Sequence, residues 1–175
     1  EFALFCALVL VSSGTDANAR SGAQFRAVRG NIRMADTMLA VVKPESAPGA
    51  EVREVKIPKF GSTDVLVKVD VASVCGTDLH AFEGTQPYFN YPRILGHELA
   101  AELVAIDKAD GFSIGDPVTI IPYFNCGVCL ACRNGKPNCC VNLTVCGVHF
   151  DGGMVEYLSV PSSSLLHGEG LDFDE

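Results

Sequence analysis

The most informative stretch of this sequence is Cys126-Gly-Val-Cys129-Leu-Ala-Cys132, which is followed eight residues later by Cys140. Three thiols at intervals of three residues, with a fourth close behind, can aim their sulfurs at one point. Four thiolates at about 2.3 Å satisfy the tetrahedral preference of zinc and leave no open position for catalysis. Gly127 and Gly135 supply the tight bends that such a loop requires. The sequence therefore predicts a structural zinc site with these four cysteines as ligands.

The main alternative for these cysteines is a disulfide framework, which an extracellular origin would favour. Sulfurs three residues apart are, however, typical of metal sites, so we prefer zinc. Cys139, directly before Cys140, is a rival for the fourth ligand position. Cys146 is expected to be a small packed hydrophobic residue, as an isolated buried cysteine usually is.

Outside this lobe, short strand-like segments alternate with glycine, proline and aspartate from Met38 onward. The alternation of valine with Lys68 and Asp70 over residues 65–71 predicts a half-buried strand. Further candidate strands are Leu39–Val42, Val52–Ile57, Leu99–Ile106, Val118–Ile121 and Met154–Val160. Residues 77–82 are expected to form one or two helical turns. Many short strands at this spacing predict a mainly β barrel or sandwich.

Residues 1–33 differ in character from the rest and are interpreted as an N-terminal appendage. They carry four arginines against two acidic residues, whereas the whole chain has a net charge of -8. Phe2–Val11 is apolar but too short to span a bilayer, and Ala17-Asn18-Ala19 resembles the cleavage site of a secretory signal. Because no basic residue precedes the apolar run, we favour upstream sequence ahead of a start at Met34 or Met38, with a leader remnant as the alternative. On this interpretation Cys6 plays no part.

Composition narrows the classes of partner. The net charge of -8 and the pI of about 4.9 argue against a phosphate-binding surface, since nucleic-acid binders usually present a basic face. We therefore expect no nucleic-acid partner, no membrane partner and a cytoplasmic location. A chain of 175 residues with 48% hydrophobic content can bury one full core, so one domain over residues 38–175 is expected.

A second group of chemically competent residues lies upstream of the lobe. Val74-Cys75-Gly76-Thr77-Asp78-Leu79-His80 precedes Gly96-His97-Glu98 by about twenty residues. Each piece alone is a weak signal, because a lone cysteine or histidine is more often packed or exposed than bound to a metal. The two pieces in this order, followed by the four-cysteine lobe, form a much more specific pattern.

The remaining candidates are expected to have structural roles. His149 and His167 lack metal-ligand spacing to another donor and are predicted in loops or at the surface. Asp151-Gly152-Gly153 predicts a turn in which glycine permits a positive φ, without a metal role for Asp151. The aromatic stretch at residues 88–91 could line a substrate cleft or pack in the core.

Across residues 38–175 this combination resembles the zinc-dependent medium-chain alcohol and polyol dehydrogenases. The matching motifs also include Tyr91-Pro92-Arg93-Ile94-Leu95, Gly115-Asp116, Asp151-Gly152-Gly153-Met154 and Glu156-Tyr157. The resemblance implies the family's GroES-like domain, which is a partly open β-barrel with short helices and a zinc-binding lobe, here at residues 122–146.

The resemblance also implies a second, catalytic zinc ion, ligated by Cys75 and His97 with one position left open. In that family the metal acts as a Lewis acid on a bound alcohol, which can then release hydride to a nicotinamide ring. Thr77 would hydrogen-bond the substrate oxygen and His80 would relay the alcohol proton to solvent. Asp78 would accept a hydrogen bond from a ligand imidazole and fix its tautomer.

The third catalytic ligand is left open between two alternatives. The polyol branch of the family places a glutamate directly after the ligand histidine, and Glu98 fits that pattern. The alcohol branch uses a cysteine far downstream. In that case Glu98 is a carboxylate near the metal, and the third ligand lies beyond residue 175.

Family members continue into a nucleotide-binding domain, but this sequence has no Gly-x-Gly-x-x-Gly turn between a strand and a helix. Gly168-Glu169-Gly170 lacks the third glycine. We therefore expect the Rossmann domain to be absent from this chain, which would be an N-terminal catalytic-domain fragment. Such a fragment binds zinc but not NAD or NADP, and its turnover alone is negligible.

The expected complete enzyme oxidises a secondary alcohol of a sugar alcohol or sugar acid with NAD or NADP, and is a homo-oligomer. A threonine dehydrogenase is the alternative within the family. The alternatives outside it are a non-catalytic zinc-binding module and a secreted domain held together by disulfides.

Overall fold

A computed structural model describes residues 36–107 and 111–168. Its strands are β1 Thr37–Lys43, β2 Glu51–Lys56, β3 Asp64–Ser73, β4 Arg93–Ile94, β5 Glu98–Ile106, β6 Pro117–Ile120, β7 Tyr123–Phe124, β8 Thr144–Val145, β9 Tyr157–Pro161 and β10 Leu165–His167. The helices are α1 Gly76–Glu83 and α2 Leu130–Arg133, with 3-10 turns at Pro137–Cys139 and Ser162–Ser164. The proposed appendage at residues 1–33, including Cys6, lies outside the described residues.

The strands form three sheets, and every pair of named strands in the described residues is antiparallel. The largest sheet has the order β10-β6-β5-β3-β9, the second has the order β2-β1-β4, and β7 pairs with β8 alone. The described residues therefore contain no doubly wound parallel sheet of the nucleotide-binding type. The chain is mainly β, as predicted.

The predicted half-buried strand at residues 65–71 is confirmed as β3, between β5 and β9. Its inward side chains are 0% exposed at Val65, Val67 and Val69. Burying a valine side chain contributes about 1.5–3 kcal/mol, so this row is a main part of the core. On the other face Lys68 and Asp70 form an ion pair of 3.2 Å.

Backbone contacts of β1 join the two larger sheets into a partly open barrel. The Val41 N–H donates to the Met154 carbonyl at 2.9 Å, and Ala40 forms an isolated bridge with Val155. The segment that leads into β9 is thereby attached to β1. One continuous hydrophobic core contains buried residues from both sheets. This arrangement agrees with the partly open barrel that the family resemblance implies.

Most predicted boundaries agree with the structure to within two residues, and residues 77–82 are helical within α1. The predicted strand Met154–Val160 is wrong at its start, because β9 begins at Tyr157 and the residues before it contact β1 instead. The strands that were not predicted are β4, β7, β8 and β10, which have two or three residues each. A segment of two or three residues is too short to show the alternation that identifies a strand.

The positive φ predicted for Gly152 and Gly153 is wrong, since neither is among the described glycines with positive φ. Glycine provides space there instead. The Gly152 N–H donates to the Ile94 carbonyl at 2.9 Å, and a Cβ on Gly152 would lie 2.2 Å from the Gly96 carbonyl oxygen. The chain can pass so close to the segment before His97 only because position 152 has no side chain.

None of the helices in the described part of the chain combines the length and the apolar character needed to cross a membrane.

Because a Cβ at position 152 would collide with the Gly96 carbonyl oxygen, we expect Gly152→Ala to lower the free energy of unfolding. The expected loss is about 1–3 kcal/mol, the usual range for overpacking a close contact. Gly61→Ala is the matched control, because a Cβ there meets only Asp64 Oδ2 at 3.4 Å, an ordinary contact. Urea denaturation of both variants measures the difference. Equal midpoints for the two variants would contradict the steric explanation.

Candidate metal centres

The four predicted thiols form one compact group. The Sγ atoms of Cys129 and Cys132 are 3.5 Å apart, as are those of Cys126 and Cys140, and all four sulfurs lie within 4.8 Å of one another. A tetrahedron with Zn–S bonds of about 2.3 Å has edges of about 3.8 Å, whereas a disulfide requires about 2.05 Å. The donor set and its spacing fit one zinc ion.

Local backbone conformation brings these sulfurs together. Gly127 and Gly135 have φ of 70° and 69°, which confirms the predicted bends in the left-handed region. Cys129 is the N-cap of α2, and the 3-10 turn Pro137–Cys139 leads directly into Cys140. The β7–β8 pair closes the base of the lobe, so the whole site is built within residues 122–146.

Backbone N–H groups prepare the sulfurs for a metal. The N–H groups of Cys126 and Asn142 each donate to Cys140 Sγ at 3.3 Å. Hydrogen bonds from the N–H groups of Cys132 and Val141 lower the pKa of Cys129 to about 6. The thiolate is the metal-binding form of cysteine, so these contacts favour metal capture by Cys129. Burial, followed by the hydrogen bond with Cys129, instead raises the pKa of Cys132 to about 12.

The other two cysteines near the lobe have different environments. Cys139 is exposed and is not a member of the four-sulfur group, which contains the buried Cys140 instead. Cys146 is 0% exposed in the hydrophobic core, as predicted for a packed thiol. Its Sγ contacts the carbonyl oxygens of Gly96 and Asp151 at 4.0 and 3.7 Å.

The second centre brings together Cys75 and His97, which are 22 residues apart. Cys75 is the N-cap of α1, and its Sγ accepts a hydrogen bond from the Thr77 N–H at 3.3 Å. His97 lies between β4 and β5, with its Nε2 only 3.1 Å from Cys75 Sγ. The corresponding edge of a tetrahedral zinc site is about 3.5 Å. One ion could therefore be bound by both atoms.

Asp78 completes this group and lies within 4.8 Å of both donors. Its Oδ2 accepts from the Cys75 N–H at 3.1 Å, and its Oδ1 accepts from the Gly96 N–H at 3.0 Å. Burial raises the pKa of Asp78, and the hydrogen bond from the Cys75 N–H is the strongest opposing effect. This bridging role was not predicted, although the spacing of Cys75 and Asp78 is that of a capping box.

The orientation of the His97 ring is consistent with metal binding through Nε2. Its Nδ1 is buried without a hydrogen-bond partner among the described residues and lies 3.8 Å from Asp78 Oδ2. If Nε2 is a metal ligand, Nδ1 carries the proton and faces a carboxylate. Such a pairing fixes the tautomer of metal-binding histidines.

Glu98 lies apart from this group. It is the first residue of β5, and its Oε2 accepts a hydrogen bond from Ser73 Oγ at 2.7 Å. In the described residues the carboxylate within reach of both Cys75 and His97 is that of Asp78.

Thr77 and His80 are one turn apart on α1, so their side chains are neighbours on the helix surface. The His80 side chain is 67% exposed. Its Nδ1 lies 3.4 Å from Thr85 Oγ1 and 3.7 Å from Glu83 Oε2. The ring thus lies at the exposed surface near the C-terminal end of α1.

The residues expected to have structural roles contact neither metal centre. His149 is exposed and its Nδ1 accepts from the Val145 N–H. His167 is also exposed, within β10, where its ring stacks on Phe112 at 4.2 Å. Asp151 Oδ1 accepts from the Ile94 N–H at 3.1 Å. Phe89, from the aromatic stretch at residues 88–91, packs in the core.

A cavity of about 480 Å³ lies away from both centres. Residues of β1, β2, β4 and β9 line it, and neither Cys75 nor His97 is among them.

Comparison with known proteins identifies the architecture. The family model for the alcohol dehydrogenase GroES-like domain matches residues 61–169. The chain is 48% identical over 122 residues to the L-galactonate-5-dehydrogenase of Escherichia coli K12, covering 69% of this chain and 35% of that protein. It is 40% identical over 136 residues to the L-threonine 3-dehydrogenase of Pyrococcus abyssi, and this match covers 75% of this chain and 39% of that protein.

Among solved structures, an alcohol dehydrogenase of Escherichia coli CFT073 in complex with NADH superposes with a TM-score of 0.70 at 34% identity. The superposition covers 79% of this chain and 40% of that one. The chain thus spans between 35% and 40% of the length of the relatives described here.

With zinc bound, we expect Cys139 to be alkylated rapidly, while the four grouped thiols are protected until a chelator is added. Cys146 should stay unmodified in both states because it is buried. Peptide mass spectrometry after treatment with iodoacetamide measures each site, and Cys139→Ser is the control for background labelling. Grouped thiols that react as fast as Cys139 in the presence of zinc would contradict the metal site.

The buried Cys146 thiol also predicts a pH dependence of stability. Burial, followed by the charge of Asp151, raises the pKa of Cys146 from its ordinary value of 9.0 to about 12. Between these values the unfolded chain loses this proton and the folded chain keeps it, so stability falls as pH rises above 9. The slope is at most about 1.4 kcal/mol per pH unit.

Cys146→Ala should reduce this alkaline loss, which denaturant titrations of both proteins at several pH values measure. An alkaline slope that is identical in the variant would contradict the assignment.

Proposed function

The chain belongs to the alcohol dehydrogenase GroES-like domain family, and we propose that it is the catalytic domain of a zinc-dependent, NAD(P)-linked dehydrogenase. The substrate we propose is a secondary alcohol of a sugar alcohol or sugar acid. The observation that carries the proposal is the pair Cys75 Sγ and His97 Nε2, 3.1 Å apart beside the buried Asp78. Such a pair is suited to a zinc site that uses few protein ligands.

Zinc bound by Cys75 and His97 would supply Lewis acidity that polarises an alcohol oxygen. We propose Glu98 as a third ligand in at least some states, which requires its carboxylate to leave Ser73. Thr77 would hydrogen-bond the substrate oxygen from the first turn of α1. His80, exposed at the same helix surface, would pass the alcohol proton to solvent.

We assign a structural role to the four-thiolate lobe, because four sulfurs saturate a tetrahedral ion. We also propose two zinc ions per chain, one at each donor group. Zinc analysis of the purified chain should give two ions for the unchanged sequence and one for Cys75→Ser. Cys139→Ser is the matched control and should keep two. A content of one zinc in the unchanged chain would overturn the catalytic centre.

The substrate class is supported by the L-galactonate-5-dehydrogenase of E. coli K12, to which the chain is 48% identical. An amino-acid alcohol such as L-threonine is the second candidate, supported by the relative from P. abyssi at 40% identity. The solved relative with NADH supports a nicotinamide cofactor, which we propose for the complete enzyme.

A chimera tests this function directly. Residues 38–168 of this chain replace the segment that they match in the E. coli L-galactonate-5-dehydrogenase, and reduction of NAD⁺ or NADP⁺ is followed with sugar acids, polyols and L-threonine. We expect sugar-acid or polyol oxidation that falls at least about 100-fold in Cys75→Ser. The Cys139→Ser chimera is the active control, and this chain alone gives the background rate.

Preference for L-threonine in the chimera would favour the second candidate. A folded chimera that holds two zinc ions but oxidises none of these alcohols would instead favour a non-catalytic zinc-binding module.

A further inference from the structure

We propose that Lys43 is a positioning residue for the catalytic centre, because it fastens the C-terminal end of α1 to the strand pair that leads to His97. The inference rests on the proposed function, since it assumes that Cys75 and His97 share a zinc ion. Lys43 is 0% exposed. Lysine is almost never fully buried unless its ammonium is paired, so this position calls for a physical explanation.

Backbone carbonyl groups satisfy the Lys43 ammonium. Its Nζ donates to the carbonyl oxygens of Ala47, of Gly49 at 2.7 Å and of Phe82 at 3.1 Å. An ammonium has three donor hydrogens, so the donor capacity is fully used. No carboxylate of the described residues forms a salt bridge with it.

Phe82 lies in the last turn of α1, and its carbonyl accepts hydrogen bonds from Lys43 Nζ and from the Gly49 N–H. A cation there is also favoured by the helix dipole. Lys43 therefore contacts the C-terminal end of the helix whose N-cap is Cys75.

The same residue is part of the β1–β4 pair. Lys43 is opposite Arg93 in the register, four residues before His97, and the Leu95 N–H donates to the Val41 carbonyl at 3.2 Å. β1 thus holds the segment that carries His97 through its backbone, and holds the helix that carries Cys75 through the side chain of Lys43.

The loop between β1 and β2 adds to this attachment. The Gly49 N–H donates to the Phe82 carbonyl at 2.8 Å. A Cβ on Gly84, which follows α1, would lie 1.8 Å from the Ser46 carbonyl oxygen. The loop therefore packs directly against the helix end. The Lys43 ammonium lies between the two and donates to carbonyl groups of both.

Two buried polar side chains consequently contact α1 at its two ends. Asp78 ties the first turn to Gly96, while Lys43 ties the last turn to β1. Without Lys43, the helix end would keep only its contacts with the loop at Gly49 and Gly84. A tilt of that end would then displace Thr77 and His80 and alter the approach of Cys75 to His97. Lys43 removes that freedom.

The test uses Lys43→Met, which keeps the length of the side chain and removes its donors. Lys56→Met is the control, because it makes the same charge change at an exposed position of β2. Zinc is withdrawn with a chromogenic chelator, and the two ions are distinguished by comparison with Cys75→Ser. We expect the ion at Cys75 and His97 to dissociate about 10-fold faster in Lys43→Met, a shift typical of residues that orient ligands.

The four-thiolate ion should be released at an unchanged rate in Lys43→Met, and both ions should be unaffected in Lys56→Met. Lys43→Gln, which keeps two donor hydrogens, should release the ion at Cys75 and His97 at an intermediate rate. This variant replaces Lys43→Met in the experiment if Lys43→Met does not fold. Equal acceleration of both ions, or of neither, would overturn the positioning role. Absence of a second zinc ion from the unchanged chain would overturn the proposed function itself.

Discussion

The buried carboxylate of Asp78 is the interaction on which the candidate catalytic centre depends. It accepts hydrogen bonds from the Cys75 and Gly96 N–H groups while being only 1% exposed. A carboxyl group so far from water is costly unless its oxygens are hydrogen-bonded, so both segments must be in place for the fold to tolerate it. The proximity of Cys75 to His97 follows from that requirement.

The parts of the chain that could be predicted from sequence are those in which neighbouring residues determine the structure. The four-thiolate group follows from intervals of three residues and two glycines, and β3 follows from its alternating valines. The position of Glu98 could not be predicted in this way. It depends on the register that places Glu98 opposite Ser73 across β3 and β5, which turns its side chain to the exposed face while Leu99 is buried.

The role of Gly152 shows a different limit of sequence analysis. A glycine suggests a positive φ, but here it makes room for the Gly96 carbonyl, which is 56 residues earlier in the chain. Only the three-dimensional arrangement reveals such a contact. The very short strands could not be predicted for the same reason. β4, for example, is defined by its pairing with β1 and has no sequence pattern of its own.

The two centres also differ in how much of the chain must be ordered before each can form. The four sulfurs of the lobe lie within fifteen residues, and the β7–β8 pair closes its base. Closing so short a loop costs little chain entropy. Cys75 and His97 meet only after β1, β4 and α1 have assembled through contacts distant in sequence, which form slowly. The four-sulfur group can therefore form while the barrel is still open, before Cys75 and His97 come together.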